Sequence, residues 1–132
     1  MIRVRARKIA GIIREIPPLE VFGPPEGELL VVGWGSTYGS ITQAVRELQA
    51  AGHAVAQVHL RHLNPLPPDL GAILQRYRYV LVPEMNLGQL VRLIRAEYLV
   101  DAIGFNKIQG RPFKVSEIVS RCLKLLGKES LA

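Results

Sequence analysis

Residues 28–52 read ELLVVGWGSTYGSITQAVRELQAAG, and the reading of this stretch decides the fold. Its first part is a short apolar run, its middle is rich in glycine, and its last part places Ile41, Ala44, Val45 and Leu48 at i, i+3, i+4 and i+7. A short, nearly all-apolar run suits a parallel strand covered on both faces, and the second pattern predicts an amphipathic helix. Ser36 or Thr37 can cap that helix, and Gly52 supplies its stop. The alternation then repeats. HAVAQVHL (53–60) and YVLVP (79–83) read as strands, and NPLPPD (64–69) is a turn in which Asp69 caps a short helix carrying Leu70, Ile73 and Leu74 inward. EMNLGQL (84–90) is a second polar strand-to-helix turn, and its helix carries Leu90, Val91, Ile94 and Tyr98 on one face. VDAIGFNKI (100–108) reads as a less buried strand. The last helix begins near Ser116 and buries Ile118, Val119, Cys122, Leu123 and Leu126. Strand and helix alternating in this order predict an α/β fold, a three-layer sandwich on a mostly parallel sheet.

A glycine-rich turn between a strand and a helix raises the question of a bound phosphate. The dinucleotide fingerprint is G-x-G-x-x-G, with an acid about 20 residues further on that holds the ribose. Here Gly33, Gly35 and Gly39 are spaced G-x-G-x-x-x-G, one residue too long, and Arg61 stands where the acid belongs. No G-K-[ST] follows, so the turn is not a P-loop. The expectation is an empty turn whose glycines let the helix cross close to the sheet. A nucleotide-binding Rossmann-like module, with Arg61 meeting the 2′-phosphate of NADP, is the alternative.

The chain has 132 residues, enough for one domain that buries roughly two-thirds of its unfolded surface. No apolar run approaches the ~20 residues of a membrane span, and MIRVRARKIAGII lacks a secretory apolar core with a small-residue cleavage site. The net charge of +6 is local: residues 1–14 carry five basic and no acidic residues, whereas the rest is nearly neutral. With no aromatic-studded basic groove, neither a nucleic-acid partner nor a membrane partner is expected. The arm and its Pro/Gly-rich linker, residues 1–27, are set apart from a domain at 28–132. The single cysteine, Cys122, excludes an internal disulfide and a four-thiolate iron–sulfur or zinc site within the chain. It lies in the apolar stripe of the last helix and reads as a buried, inert thiol. A reducing, cytoplasmic setting follows. His59 and His62 stand at a strand end without a third ligand nearby, so no metal site is expected.

EMNLGQL is the most specific polar stretch. Glu84, Asn86 and Gln89 cluster where a helix N-terminus offers free amides, and they either recognise another surface or cap the helix. The turns after parallel strands lie on one sheet edge. Gly33, Trp34, Gly35, Ser36, Thr37, Glu84, Asn86 and Gln89 are therefore the candidate residues of a partner-facing cleft edge.

Three blocks carry a family resemblance: LVVGWGSTYGSITQAVRELQAAGHAVAQVHLRHLNPLP (30–67), YVLVPEMNLGQL (79–90) and GRPF (110–113). Together they resemble the C-terminal part of the alpha subunit of 2-oxoglutarate (2-oxoacid):ferredoxin oxidoreductases, and RVRARKIAGI (3–12) is similar to the segment leading into it. The resemblance implies a transketolase C-terminal-like domain on a five-stranded sheet with one antiparallel strand. It implies a full enzyme that converts 2-oxoglutarate and coenzyme A to succinyl-coenzyme A and carbon dioxide while reducing ferredoxin. Thiamine diphosphate, magnesium and iron–sulfur clusters are then expected on partner domains or subunits, because nothing here resembles the G-D-G…N segment of thiamine enzymes. No catalytic, cofactor-binding or metal-binding residue is carried over. The chain is expected to be a fragment or split gene product, a non-catalytic domain that packs against the remaining alpha-subunit domain and the thiamine-binding beta subunit.

Overall fold

The computed structural model describes residues 18–61, 63, 66–85, 89–106 and 112–128. Four strands, β1 (Gly27–Trp34), β2 (Val55–Leu60), β3 (Tyr77–Glu84) and β4 (Ile103–Asn106), form one sheet in the order β2-β1-β3-β4. Every pair is parallel, with Leu29 opposite Val55 and Tyr79, and Leu81 opposite Ile103. A 3-10 turn, Gly35–Thr37, leads from β1 into α1 (Tyr38–Ala50); α2 (Leu70–Leu74), α3 (Gln89–Tyr98) and α4 (Val115–Leu126) complete the layers.

The near-continuous apolar strands divide by residue parity. Leu30 and Val32 of β1 join Ala56, Val58, Val80 and Val82 in one core with α2 and α3. Leu29 and Val31 join Val55 and Leu81 in the other, with Ile41, Ala44, Val45 and Leu48 of α1 and Ile118, Val119, Cys122 and Leu123 of α4. Successive side chains of a strand point to opposite faces, so a strand covered on both sides needs apolar residues at every position. The α/β/α sandwich follows. Gly52, with φ of 91°, stops α1, while the N–H of His53 donates to Leu48 O at 2.9 Å. Leu126 of α4 is only half-buried, at the rim of its layer.

The expected fifth, antiparallel strand is not among the described residues as a strand. The antiparallel pairing among the described residues is one bridge on the outer edge of β2, where Phe22 and Gln57 exchange backbone bonds of 2.9 and 3.0 Å. Pro17 and Pro18 precede this segment and Pro24 and Pro25 follow it, so few donors are left to extend the ladder. Residues 18–27, expected as part of a linker, lie against the sheet domain: Leu19 and Val21 pack on its core, and the Tyr77 hydroxyl donates to Pro24 O at 2.6 Å. Asp69 does not cap α2; its Oδ2 accepts the Leu19 N–H at 2.8 Å and so pins this segment. The basic residues at 3–14 lie outside the described part.

The end of α3 is unusual. Leu99, whose N–H still donates to Arg95 O at 3.1 Å, has φ of 54°. That left-handed geometry costs a non-glycine residue ~1–2 kcal/mol.

Cys122 is fully buried between α4 and the sheet, and burial pushes its thiol up to about 12. A thiol reagent at pH 8 should therefore react with the folded chain only as fast as the domain opens, and rapidly once denaturant is added. Prompt labelling of the native chain would contradict this burial.

Candidate functional site

The chain leaves β1 toward β2 on one side and later returns to add β3 on the other. The carboxyl ends of β1 and β3 therefore flank a topological switch point, the crevice where open α/β sheets bind ligands. In this chain side chains from both strand ends meet there. Trp34, the last residue of β1, donates its indole Nε1–H to Oε1 of Glu84, the last residue of β3, at 3.1 Å.

Glu84 is 1% exposed. Its Oε1 also accepts the Leu90 N–H at 2.7 Å, and its Oε2 accepts the Val91 N–H at 3.1 Å. The first amides of a helix lack intrahelical partners and carry partial positive charge, so a carboxylate there satisfies donors and meets the helix dipole favourably. Of the two readings left open by the sequence, capping holds for Glu84. This corrects its placement as a partner-facing group: the side chain is buried and its oxygens are engaged by this domain. One residue thereby ties β1, β3 and α3 together.

The turn after β1 is equally constrained. Gly33 is buried, and a Cβ there would collide with Ile41 Cδ1 and lie 3.1 Å from Thr37 Oγ1. The close helix–strand crossing expected of Gly33 is therefore present. Gly35 has φ of 65° and lies exposed, which a turn of this shape favours glycine to supply. Thr37 is buried and does not cap α1; its hydroxyl donates to Trp34 O, three residues back, at 2.9 Å. The intervening 3-10 turn brings that carbonyl within reach.

The two turns lie together, as the Trp34–Glu84 bond requires. Gly35, Ser36 and Gln89 are exposed there, Trp34 is half-buried, and Asn86 lies outside the described residues. Two further residues meet at this edge: Tyr38, which the sequence does not single out, and His59, which it presents only as half of a metal pair. Tyr38, 44% exposed, meets the His59 ring edge-on at 4.8 Å between centroids. His59 Nδ1 is buried without a hydrogen-bond partner, and burial, then the Arg61 charge, lowers the His59 pKa. Their pairing follows from the position of His59 opposite Gly33, a register that spacing along the chain does not disclose. His62 lies outside the described residues.

Among the described residues no three His, Cys, Asp or Glu side chains stand close enough to hold a metal. The single cysteine, Cys122, is buried, and one thiol cannot supply the four ligands of an iron–sulfur cluster. No described helix is long and apolar enough to cross a membrane.

Comparison with known proteins agrees with this architecture. The chain is 48% identical over 119 residues to the 2-oxoglutarate oxidoreductase subunit KorA of Mycobacterium tuberculosis, covering 89% of this chain and 18% of that one. It superposes with a TM-score of 0.83, at 32% identity, on the 2-oxoglutarate:ferredoxin oxidoreductase of Magnetococcus marinus determined with 2-oxoglutarate, coenzyme A and succinyl-CoA bound. That match covers 89% of this chain and 21% of the other. A split-gene transketolase, an inactive β4 tetramer, shares the fold with a TM-score of 0.60 at 19% identity, over 84% of this chain and 42% of that one. The chain thus spans about a fifth of the length of its oxidoreductase relatives. The family model of the pyruvate:ferredoxin oxidoreductase core domain II matches residues 27–118, from the first residue of β1 into α4, and the chain belongs to that family.

Proposed function

We propose that this chain is a non-catalytic, cytoplasmic structural domain of a thiamine-diphosphate-dependent 2-oxoacid:ferredoxin oxidoreductase alpha subunit, with 2-oxoglutarate as the substrate of the whole enzyme. The observation that carries the reading is the Trp34–Glu84 hydrogen bond, which joins the ends of β1 and β3 at the switch point and engages their side chains within the domain itself. Similarity to KorA supports the substrate class. The exposed part of the carboxyl edge, Gly35, Ser36 and Gln89, together with Asn86 of the EMNLGQL stretch, is the surface that packs against the remaining alpha-subunit domain and the thiamine-binding beta subunit. Glu84, Trp34, Gly33 and Thr37 hold that surface in shape from beneath. Thiamine diphosphate, magnesium and iron–sulfur clusters belong to those partners, as do the contacts with ferredoxin and coenzyme A.

The purified chain should give no 2-oxoglutarate- and coenzyme A-dependent viologen reduction. It should bind NAD, NADP and ATP no more tightly than ~10 μM, which corresponds to about −7 kcal/mol. Turnover by the isolated chain would overturn the non-catalytic reading. Tighter NADP binding would favour a nucleotide-binding module, with exposed Arg61 as its phosphate contact.

A further inference from the structure

Helix α3 exposes one leucine beside its buried face, and a second follows its end. Leu90, Val91 and Ile94 face the core, yet Leu93 is 39% exposed and Leu99, just past the helix end, is 90% exposed. Gln89, Leu93 and Ala96 are all exposed at i, i+4 and i+7, the spacing with which a helix presents one face to a neighbour, and Leu99 continues the stripe three residues on. Leu99 combines two costs, a left-handed backbone that glycine adopts freely and an apolar side chain in water. The Leu99 N–H bond to Arg95 O closes the helix end, but the described domain leaves the leucine side chain uncovered. Its rim carries both signs, with Arg92, Arg95, Glu97 and Asp101 exposed.

We infer that the outer face of α3, centred on Leu93 and Leu99, is a second docking surface, and that its occupant is the remaining polypeptide of the alpha subunit. This rests on the proposed function above. Two observations select that occupant. The domain corresponds to 18–21% of the M. tuberculosis KorA and M. marinus chains, so about four-fifths of a subunit of that kind lies outside it. The stripe also starts at Gln89, on the proposed carboxyl-edge interface, and runs down the helix without interruption.

The test is a sign reversal. The 132-residue chain is compared with a chimera in which it replaces the matching 119-residue segment of M. tuberculosis KorA, co-expressed with that enzyme's remaining subunits. In the lone chain, Leu99→Gly should raise Tm by a few degrees, since it removes strain and an exposed leucine. In the chimera the same change should lower Tm. Leu93→Lys/Leu99→Lys should leave the lone chain folded, yet reduce assembled, active chimera by about tenfold or more. Leu99→Gly raising Tm in both settings, or lowering it in the lone chain, overturns the docking surface while an active wild-type chimera leaves the proposed function standing. An inactive wild-type chimera overturns both. A lone chain that dimerises, and whose dimer the lysine variant dissolves, replaces the proposed occupant with a second copy.

Discussion

Glu84→Ala is expected to destabilise the isolated domain by ~3 kcal/mol or more, one of the largest losses available to a single substitution here. Glu84 is 1% exposed, and its two oxygens accept three N–H groups from two different elements. Truncation orphans the Trp34 indole N–H and the Leu90 and Val91 amides together, and each buried donor left unpaired costs about 1–3 kcal/mol. For a chain of this size the loss amounts to a Tm lower by roughly 10–15 °C. Glu84→Gln keeps one carbonyl acceptor and should cost less, near ~1–2 kcal/mol. Trp34 is the sole tryptophan, so its fluorescence reports the broken bond directly in the folded state. An Ala variant that melts within ~2 °C of wild type, a shift worth less than 1 kcal/mol, would falsify the capping role.

The second large effect is expected at Gly33. Gly33→Ala places a methyl group against Ile41 Cδ1 and 3.1 Å from Thr37 Oγ1. Ile41 is 1% exposed and Thr37 is 4% exposed, so neither can swing into solvent. Overpacking of this kind costs ~1–3 kcal/mol, and the upper end applies because the obstacle is itself buried. Ile41→Val deletes the Cδ1 atom that the new methyl meets and costs ~1 kcal/mol alone. The double variant should then be more stable than the sum of the single losses predicts, by at least ~0.5 kcal/mol. Chemical denaturation of the four proteins checks this. Strict additivity would place the strain elsewhere, and glycine at 33 would then serve the turn rather than the crossing.

These two residues also show how much of the site was legible along the chain. For Gly33 the sequence implied the close helix–strand crossing but also placed it on a partner-facing edge, and its burial against Ile41 corrects the second reading. For Glu84 the sequence did not suffice. EMNLGQL admits both capping and surface recognition, and the choice depends on whether Trp34, fifty residues earlier, lies beside it. Thr37 and Asp69 have good capping side chains at plausible positions, yet each hydroxyl or carboxylate bonds elsewhere, to Trp34 O and to the Leu19 N–H. A local propensity is a weak preference of about 1 kcal/mol, and a nearby partner of similar strength overrides it.

What the sequence determined by itself is the order of elements and their buried faces. A strand's period of two and a helix's period of 3.6 are written in consecutive residues, and both cores of the sandwich follow from them. The absence of cofactor-binding motifs and the single cysteine likewise needed no coordinates. Tertiary structure alone decided the strand order and the Trp34–Glu84 contact at the switch point. Among the described residues it also set one antiparallel bridge, at Phe22, and left Leu99 exposed in a left-handed conformation. The physical reason is common to all four. Each depends on residues far apart in the chain becoming neighbours or failing to, and hydrogen-bond partners and solvent exposure exist only after the sheet has assembled.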